Sequence, residues 1–149
     1  MWALATLDPG ERVPLLGEVI SLELTFNTGA ALSLLADHTW LVTVIMIAVT
    51  VAVVVYARRA AHMAAAALFG AVIGGALGNI ADRLLRGDGW GRGAVVDMIN
   101  YGDLFIGNVA DIAIVGAVSM GAIAAMRGVT FVTPPAPNTP EVPQTRSGT

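Results

Sequence analysis

The sequence contains no cysteine and no lysine. Without cysteine the chain has no disulfide scaffold, no thiol nucleophile and no thiolate zinc site. Without lysine it has no Ser-Lys catalytic dyad, no Schiff base and no lysine for a phosphate-binding loop. The histidines, His38 and His62, do not form an HExxH-type zinc motif. We therefore expect no metal and no cofactor, and aspartate and asparagine remain as the candidate reactive side chains.

Charged side chains are also scarce. They make up 13% of the 149 residues, whereas 56% of the residues are hydrophobic. An ordinary soluble domain is about 25% charged, so this balance predicts a membrane protein. The net charge is only -3. A nucleic-acid binder needs a strongly basic face, so we expect no nucleic-acid partner.

Three long apolar runs are present, at residues 40–56, 63 to about 80, and 109–126. A membrane-spanning helix needs roughly 20 mostly apolar residues, so each run is predicted to cross the bilayer. The predicted fold class is an all-α membrane bundle with three visible transmembrane helices. The connection between the second and third helices is expected to be a loop.

Small residues recur every four positions in the second and third runs. They are Gly70, Gly74 and Gly78 in the second run, and Ala113, Ala117, Gly121 and Ala125 in the third. Such stripes let helix backbones approach closely in lipid. We therefore expect Gly74 and the other residues on its face to lie between packed helices.

Outside the spans, residues 19–26 alternate between apolar and polar side chains, with the apolar positions at Ile20, Leu22, Leu24 and Phe26. A period of two predicts a strand with one apolar face, in a small extramembrane β-sheet. From residue 133 onward the chain is rich in Pro, Thr and Ser and has no apolar period. We expect residues 1–132 to form a single integral membrane domain and residues 133–149 to form a disordered tail.

Arg58 and Arg59 lie in the short turn between the first two predicted spans, and this density of positive charge favours a cytoplasmic position for that turn. The simple count favours the connection at residues 82–108, which has three arginines mixed with four aspartates. If the turn at Arg58 and Arg59 is cytoplasmic, residues 1–39 lie outside. The initial MWALATL is too short to be a signal peptide or a span. We expect that the chain is shortened at its start and lacks a first helix; the alternative is an N-terminus that inserts as an outside tail.

Three aspartates lie close to the apolar runs, where an ionisable group costs several kcal/mol and is a candidate functional residue. One of them, Asp82, continues the glycine stripe of the second run, so its carboxylate is expected to face a helix interface. Arg83 beside it can supply charge-assisted hydrogen bonds. For this pair a structural cluster at a helix end is favoured over catalysis.

Asp97 and Asp111 are the stronger candidate pair. Asp111 lies in the first turn of the last span, on nearly the same face as Asn108. Taken by itself, Asp111 is explained by a favourable interaction with the helix dipole, worth about 0.3 to 1 kcal/mol. Asp97 lies within an apolar run, where an unpartnered carboxylate is costly. Two such carboxylates can share a proton and activate one water for peptide hydrolysis. The sequence leaves open whether the two side chains meet.

Four blocks, taken in order, resemble the motifs of the lipoprotein signal peptidase family, also called signal peptidase II. They are FNTGAALS at residues 26–33, GALGNIADR at 75–83, VVDMI at 95–99 and NVAD at 108–111. The resemblance runs from about residue 15 to residue 126. The chain departs from the family at Leu32, where phenylalanine is common, and at Ile106-Gly107, which replaces the usual phenylalanine. It also lacks the Asp-Gln-containing first helix that brings the family's usual number of spans to four.

The resemblance implies a membrane aspartyl endopeptidase that removes the signal peptide from bacterial prolipoproteins after diacylglyceryl modification of their cysteine. Asp97 and Asp111 would correspond to the catalytic pair. The residues that would shape the site or bind substrate are Asn27, Gly29, Asn79, Asp82, Arg83, Asn108 and Ala110. The implied partners are diacylglyceryl-modified prolipoproteins and membrane lipid. The implied location is the bacterial cell membrane, and the cytoplasmic turn at Arg58 and Arg59 places the active site near the outer leaflet.

Two other interpretations stay open. One keeps the family but not the chemistry, as an N-terminally truncated, inactive homologue. The other is a non-enzymatic membrane subunit in which Asp82 and Asp111 pair across helices and Asp97 is not needed.

Overall fold

The computed structural model describes residues 2–29 and 36–133. Within these ranges the order of elements is α1 (Trp2–Thr6), β1 (Arg12–Leu16), β2 (Ile20–Asn27), α2 (Thr39–Ala57), α3 (Met63–Leu85), β3 (Val95–Tyr101), β4 (Ile106–Gly107) and α4 (Val109–Met126). A short 3-10 turn at Ala36–His38 leads into α2. Residues 30–33 of the first motif, and all of the predicted tail except Thr133, lie outside the described residues.

Helices α2, α3 and α4 are long and apolar enough to cross a membrane. Their 18 to 23 residues correspond to about 27 to 35 Å of helix, close to the roughly 30 Å thickness of bilayer hydrocarbon. The prediction of three spans is confirmed, and the chain is a multi-pass membrane protein. Helix α3 continues to Leu85 instead of ending near residue 80. Its polar last turns are tolerated because their side chains bond to protein groups, as described below.

Helix α3 packs against both α2 and α4. It approaches α4 most closely at Gly75, where an added Cβ would lie 2.7 Å from the carbonyl oxygen of Ala110 and 2.8 Å from Cγ1 of Ile114. An added Cβ at Gly70 or Gly74 would meet no described atom within 4 Å. The prediction that this glycine stripe lies between helices is therefore wrong for Gly70 and Gly74. The contact is made one residue further along, about 100° around the helix.

The small-residue stripe of α4 is only partly used in packing. Ala117 is buried, whereas Ala125 is exposed and an added Cβ at Gly121 would meet no described atom within 4 Å. Gly78 of α3 comes no nearer to α4 than ordinary van der Waals contact, since its added Cβ would be 3.9 Å from the Cβ of Ala110. A four-residue spacing identified the helices but not the face through which they touch.

The four strands form one antiparallel sheet in the order β1-β2-β3-β4. Strand β2 confirms the strand predicted over residues 19–26. Strands β3 and β4 lie in the connection that was expected to be a loop, and that expectation is wrong because the short apolar run around Asp97 pairs with β2. Thr25 lies opposite Asp97, and Asn27 lies opposite Val95.

The predicted single apolar face of β2 is also wrong. Its register against β3 shifts between Leu22 and Thr25. Such an irregularity changes which side chains face which side of the sheet. As a result the polar Ser21 is buried and Phe26 is 53% exposed, while Leu24 is buried.

A small hydrophobic core lies between α1 and the sheet. It consists of Ala3, Leu7, Leu24 and Val96. Helix α1 was not predicted, because five residues are too few to show a helical period. The packing places the first residues of the chain behind the strand that carries Asp97.

The other end of the bundle is closed by the turn between α2 and α3. The amide of Ala61 donates to the carbonyl oxygen of Phe131 at 2.9 Å, and the amide of Thr133 donates to that of Arg59 at 2.9 Å. His62 caps α3, since its Nδ1 accepts a hydrogen bond from the amide of Ala65 at 3.1 Å. Helix α3 therefore begins at this turn and ends at the sheet.

Candidate active site

The polar residues of the motifs converge where the sheet meets the ends of two spans. Asn27 is the last residue of β2, Asn79 lies near the end of α3, and Asp97 lies on β3. Asn108 precedes α4, and Asp111 lies in its first turn. The five side chains thus come from four elements, β2, α3, β3 and the start of α4, and they meet where these elements adjoin.

Asp97 is 2% exposed and is held by two asparagines. Nδ2 of Asn108 donates to its Oδ1 at 2.7 Å, and Nδ2 of Asn27 donates to its Oδ2 at 3.1 Å. Burial raises the pKa of Asp97 above the usual range of an aspartate. The two amide hydrogen bonds and the charge of Arg83 oppose this shift, and the charge of Asp111 reinforces it.

Asp111 forms a capping box with Asn108. The amide of Asp111 donates to Oδ1 of Asn108 at 3.1 Å, and the amide of Asn108 donates to Oδ2 of Asp111 at 3.0 Å. Nδ2 of Asn79 donates to the other oxygen, Oδ1, at 3.1 Å. The helix-terminal role expected for Asp111 is therefore real, and the same geometry fixes the orientation of its carboxylate.

Asn108 joins the two aspartates. Its Nδ2 lies 2.7 Å from Oδ1 of Asp97 and 3.2 Å from Oδ1 of Asn79, which in turn holds Asp111. Each of the four carboxylate oxygens accepts a hydrogen bond from an amide. Each oxygen has a second lone pair, so both carboxylates retain capacity to bind a water molecule.

Both carboxylates line one cavity of about 760 Å³. Its polar lining consists of Thr25, Asn27, Asn79, Arg83, Asp97, Asn108 and Asp111, with Gly29 beside them. Its apolar lining consists of Val42, Met46, Val95, Leu104, Phe105, Ile106 and Val115. A cavity of this size that combines apolar side chains with convergent polar groups is typical of a ligand-binding site.

Arg83 holds the segment that follows β2. Its side chain is buried, and its two terminal nitrogens donate to the carbonyl oxygens of Thr28, at 3.1 Å, and of Gly29. The amide of Gly29 donates to Oδ1 of Asn27 at 2.9 Å. Arg83 thereby fixes the position of Asn27, one of the two groups that orient Asp97.

Asp82 bonds elsewhere than expected. Its carboxylate accepts from Nε of Arg86 at 2.5 Å and from the amide of Val96 at 3.1 Å. The expected pairing with Arg83 is not among the described contacts, because successive helix residues point about 100° apart. Asp82 therefore fixes β3 one residue before Asp97 and is not among the residues that line the large cavity.

Ala110 is likewise a packing residue in this structure. Its carbonyl oxygen and Cβ face Gly75 and Gly78 of α3, and it lines a separate cavity of about 210 Å³. The apolar lining residues, by contrast, were missed, because a cavity-lining valine or methionine in a span looks like any lipid-facing one. Thr25 had a signal, since it lies two residues before Asn27 and so on the same face of a strand. Among the described residues, no group of three or more metal-binding side chains is present.

The amino-acid sequence of this chain is similar to those of known proteins. A family model described as signal peptidase (SPase) II matches residues 1–127. The lipoprotein signal peptidase of Bifidobacterium adolescentis is 42% identical over 112 residues, which are 75% of this chain and 59% of that protein. The lipoprotein signal peptidase of Mycobacterium avium is 36% identical over 131 residues, 88% of this chain and 72% of that protein. The matched regions thus leave a substantial part of both relatives uncovered.

A solved structure shows the same fold. It is a bacterial membrane enzyme determined by the in meso method at 2.3 Å resolution, and it superposes with a TM-score of 0.73 at 26% identity. The match covers 85% of this chain and 77% of that one. The fold of this chain is therefore shared, over most of its length, with a bacterial membrane enzyme.

Proposed function

This chain belongs to the signal peptidase II family, and we propose that it is a membrane aspartyl endopeptidase that cleaves the signal peptide from diacylglyceryl-modified bacterial prolipoproteins. The observation that carries the proposal is the pair Asp97 and Asp111, which line one cavity and are joined through Asn108. In this proposal residues 1–132 act as one peptidase domain, and the tail that begins at residue 133 has no part in the chemistry.

In the proposed mechanism Asp97 is the general acid and Asp111 the general base. Burial favours the neutral form of Asp97, and Asp111 takes the role of the base from the first turn of α4. Asp111 removes a proton from a water molecule as the water oxygen attacks the carbonyl carbon of the scissile bond. Asp97 donates its proton to the carbonyl oxygen, so that a neutral tetrahedral intermediate forms.

Collapse of the intermediate returns each aspartate to its initial protonation state. The proton returns from the oxygen to Asp97 as the carbonyl re-forms. The carbon–nitrogen bond breaks, and the leaving amine takes the proton held by Asp111. Both aspartates thus return to their initial states, and water has been added across the peptide bond.

The combination of polar and apolar residues in the cavity lining favours a lipid-modified peptide as the substrate. The carboxylates and asparagines surround the position of the peptide bond, while Val42, Met46 and Val115 extend along spans α2 and α4. Acyl chains bound along the spans would position the peptide bond at the aspartates, so that binding energy assists the reaction. We propose that this occurs in the bacterial cytoplasmic membrane near its outer leaflet.

The test is cleavage of matched precursors by the full chain reconstituted in lipid. We expect the diacylglyceryl-modified precursor to be cleaved and its unmodified form to be cleaved poorly. Asp97→Asn and Asp111→Asn should each abolish cleavage, because asparagine keeps the shape but transfers no proton. Asp88→Asn, which removes an exposed carboxylate from the α3–β3 connection, should retain activity.

Thermal unfolding of the same variants separates lost chemistry from lost structure, since Asp111 also caps α4. Full cleavage by Asp97→Asn would exclude the aspartyl mechanism. Absence of cleavage by the unaltered chain would instead support the inactive homologue. The non-enzymatic alternative is not favoured, because Asp82 bonds to Arg86 and Val96 and not to Asp111 among the described contacts.

A further inference from the structure

The tight turn between β3 and β4 carries two exposed apolar side chains into the lining of the large cavity. Leu104 is 82% exposed and Phe105 is 47% exposed, yet both line the cavity that contains Asp97 and Asp111. Both lie on the extramembrane sheet and not on a span. Large apolar side chains held out beside a cavity are typical of a binding surface.

The turn has an unusual backbone. Gly102 and Asp103 both have positive φ, at 58° and 61°. Asp103 is the one non-glycine residue with positive φ in the described part of the chain. The turn is closed by hydrogen bonds from the amide of Tyr101 to the carbonyl oxygen of Phe105 at 3.0 Å, and from the amide of Leu104 to that of Tyr101 at 3.1 Å.

A polar network that crosses three strands holds this turn. Asn100 is 1% exposed, and its Oδ1 accepts the amide of Asp103 at 2.9 Å. Its Nδ2 donates to Glu23 on β2 at 2.7 Å and to the carboxylate of Asp103 at 3.2 Å. Arg12 on β1 bonds to both Glu23 and Asp103. The position of the turn is therefore set by β1, β2 and β3 together.

Phe105 lies close to one of the two carboxylates. The ring of Phe105 stacks on that of Tyr101 with centroids 4.6 Å apart. An added Cβ at Gly107 would lie 3.0 Å from Oδ2 of Asp111 and 3.5 Å from Cε2 of Phe105. A carboxylate oxygen of Asp111 and the ring of Phe105 therefore both lie close to the same position beside Gly107.

We infer that Leu104 and Phe105 are specificity-determining residues that bind a hydrocarbon group of the precursor beside the scissile bond. This inference rests on the proposed function. The group has two possible sources, an apolar side chain that follows the modified cysteine or the nearer part of an acyl chain. Asn100 and Asp103 are positioning residues, because they act on the substrate only through the turn.

The test compares two series of lipidated precursors in vesicles. One series keeps the lipid constant and places leucine, serine or aspartate after the modified cysteine. The other keeps the peptide constant and shortens the acyl chains. KM and kcat are measured for the unaltered chain, for Leu104→Asn, and for the matched control Leu16→Asn, which alters an exposed leucine of β1 outside the described cavity lining.

We expect Leu104→Asn to raise KM about tenfold for the precursor that supplies the bound group, with kcat nearly unchanged. The reason is that an apolar contact of this size changes the discrimination between two substrates by about tenfold or more. If Leu104→Asn loses the preference for leucine over aspartate after the modified cysteine, the bound group is a side chain of the peptide. If it loses the preference for long acyl chains, the bound group is part of the lipid. Leu16→Asn should change neither preference.

A second variant, Asp103→Gly, keeps the positive φ but removes the carboxylate that Arg12 and Asn100 bind. It should weaken the same preference as Leu104→Asn, while thermal unfolding confirms that the sheet is intact. Equal changes in KM for every precursor in both series, or no change in KM, would overturn the inference. Absence of cleavage by the unaltered chain would instead count against the proposed function.

Discussion

Asparagine amides, and not an arginine, hold the buried carboxylate of Asp97. A direct ion pair with a guanidinium would hold an aspartate in its ionised form, as nearby cations do in general. The terminal nitrogens of Arg83 are instead directed to backbone carbonyl oxygens. The neutral amides of Asn27 and Asn108 orient the carboxylate without adding charge. Asp97 can therefore gain and lose a proton, as a general acid must.

The pH dependence of cleavage should depend on how these amides hold the carboxylate of Asp97. The hydrogen bond from Asn27 lowers the pKa of Asp97, so Asn27→Ala should raise that pKa further. Since the proposed general acid must be protonated, the alkaline limb of the kcat profile should move to higher pH, with a lower maximum rate. Thr28→Ala, an exposed neighbour, serves as the control and should leave the limb in place. A limb that moves to lower pH in Asn27→Ala would contradict the assignment of Asp97 as the acid.

At the scale of elements, polar chemistry is confined to the ends of otherwise apolar helices. Asp82 in the last turn of α3 accepts the amide of Val96, and this bond fixes the start of β3. The capping box of Asn108 and Asp111 starts α4. The end of α3 thus positions a strand, whereas the capping box pairs backbone amides at the start of α4 and at the same time orients a carboxylate.

The contact between α3 and α4 gives a prediction about glycine. Gly75→Leu should prevent the close approach of the helices, because a Cβ there already lies 2.7 Å from the carbonyl oxygen of Ala110. Overpacking of this kind costs about 1 to 3 kcal/mol or more, so we expect a lower melting temperature and loss of cleavage.

Gly74→Leu is the matched control, since its added Cβ meets no described atom within 4 Å. It should insert, melt and cleave like the unaltered chain. Equal destabilisation by both substitutions would show that the described helix contact is not the one that matters for stability.

At the scale of the whole molecule, the bundle has two chemically different ends. The sheet and the aspartates lie where α3 ends and α4 begins, whereas Arg58 and Arg59 lie at the opposite turn. Positively charged turns favour the cytoplasmic side. We therefore expect the cavity that contains Asp97 and Asp111 to open at the outer leaflet.

Labelling of single cysteines tests this orientation, because the chain has no cysteine of its own. Asp88→Cys and Ala61→Cys alter exposed residues at the two ends. In intact cells, a membrane-impermeant thiol reagent should label Asp88→Cys, and Ala61→Cys should react only after the membrane is permeabilised. Labelling of Ala61→Cys alone in intact cells would invert the topology and remove the argument for access from the outer leaflet.

The sequence by itself determined the parts of this protein that depend on local pattern. Apolar runs of membrane-spanning length predicted α2, α3 and α4, and a period of two predicted β2. The absence of cysteine and lysine left aspartate as the candidate nucleophile-activating group, and the motif blocks indicated Asp97 and Asp111. The inferences about the spans and the strand succeed because each is recognised from neighbouring residues alone, whereas the roles of Asp97 and Asp111 stay predictions.

Tertiary structure decided what depends on residues far apart in the chain. Pairing of β2 with β3 brings Asn27 to Asp97, which is 70 positions away, and the start of α4 brings Asn108 to the same carboxylate. Which glycine of α3 touches α4 is set by a rotation of one residue about the helix axis, a difference that spacing does not encode. The turn that brings Leu104 into the lining of the same cavity depends likewise on bonds from three strands. Such contacts are selected by register and packing, which local periodicity leaves free.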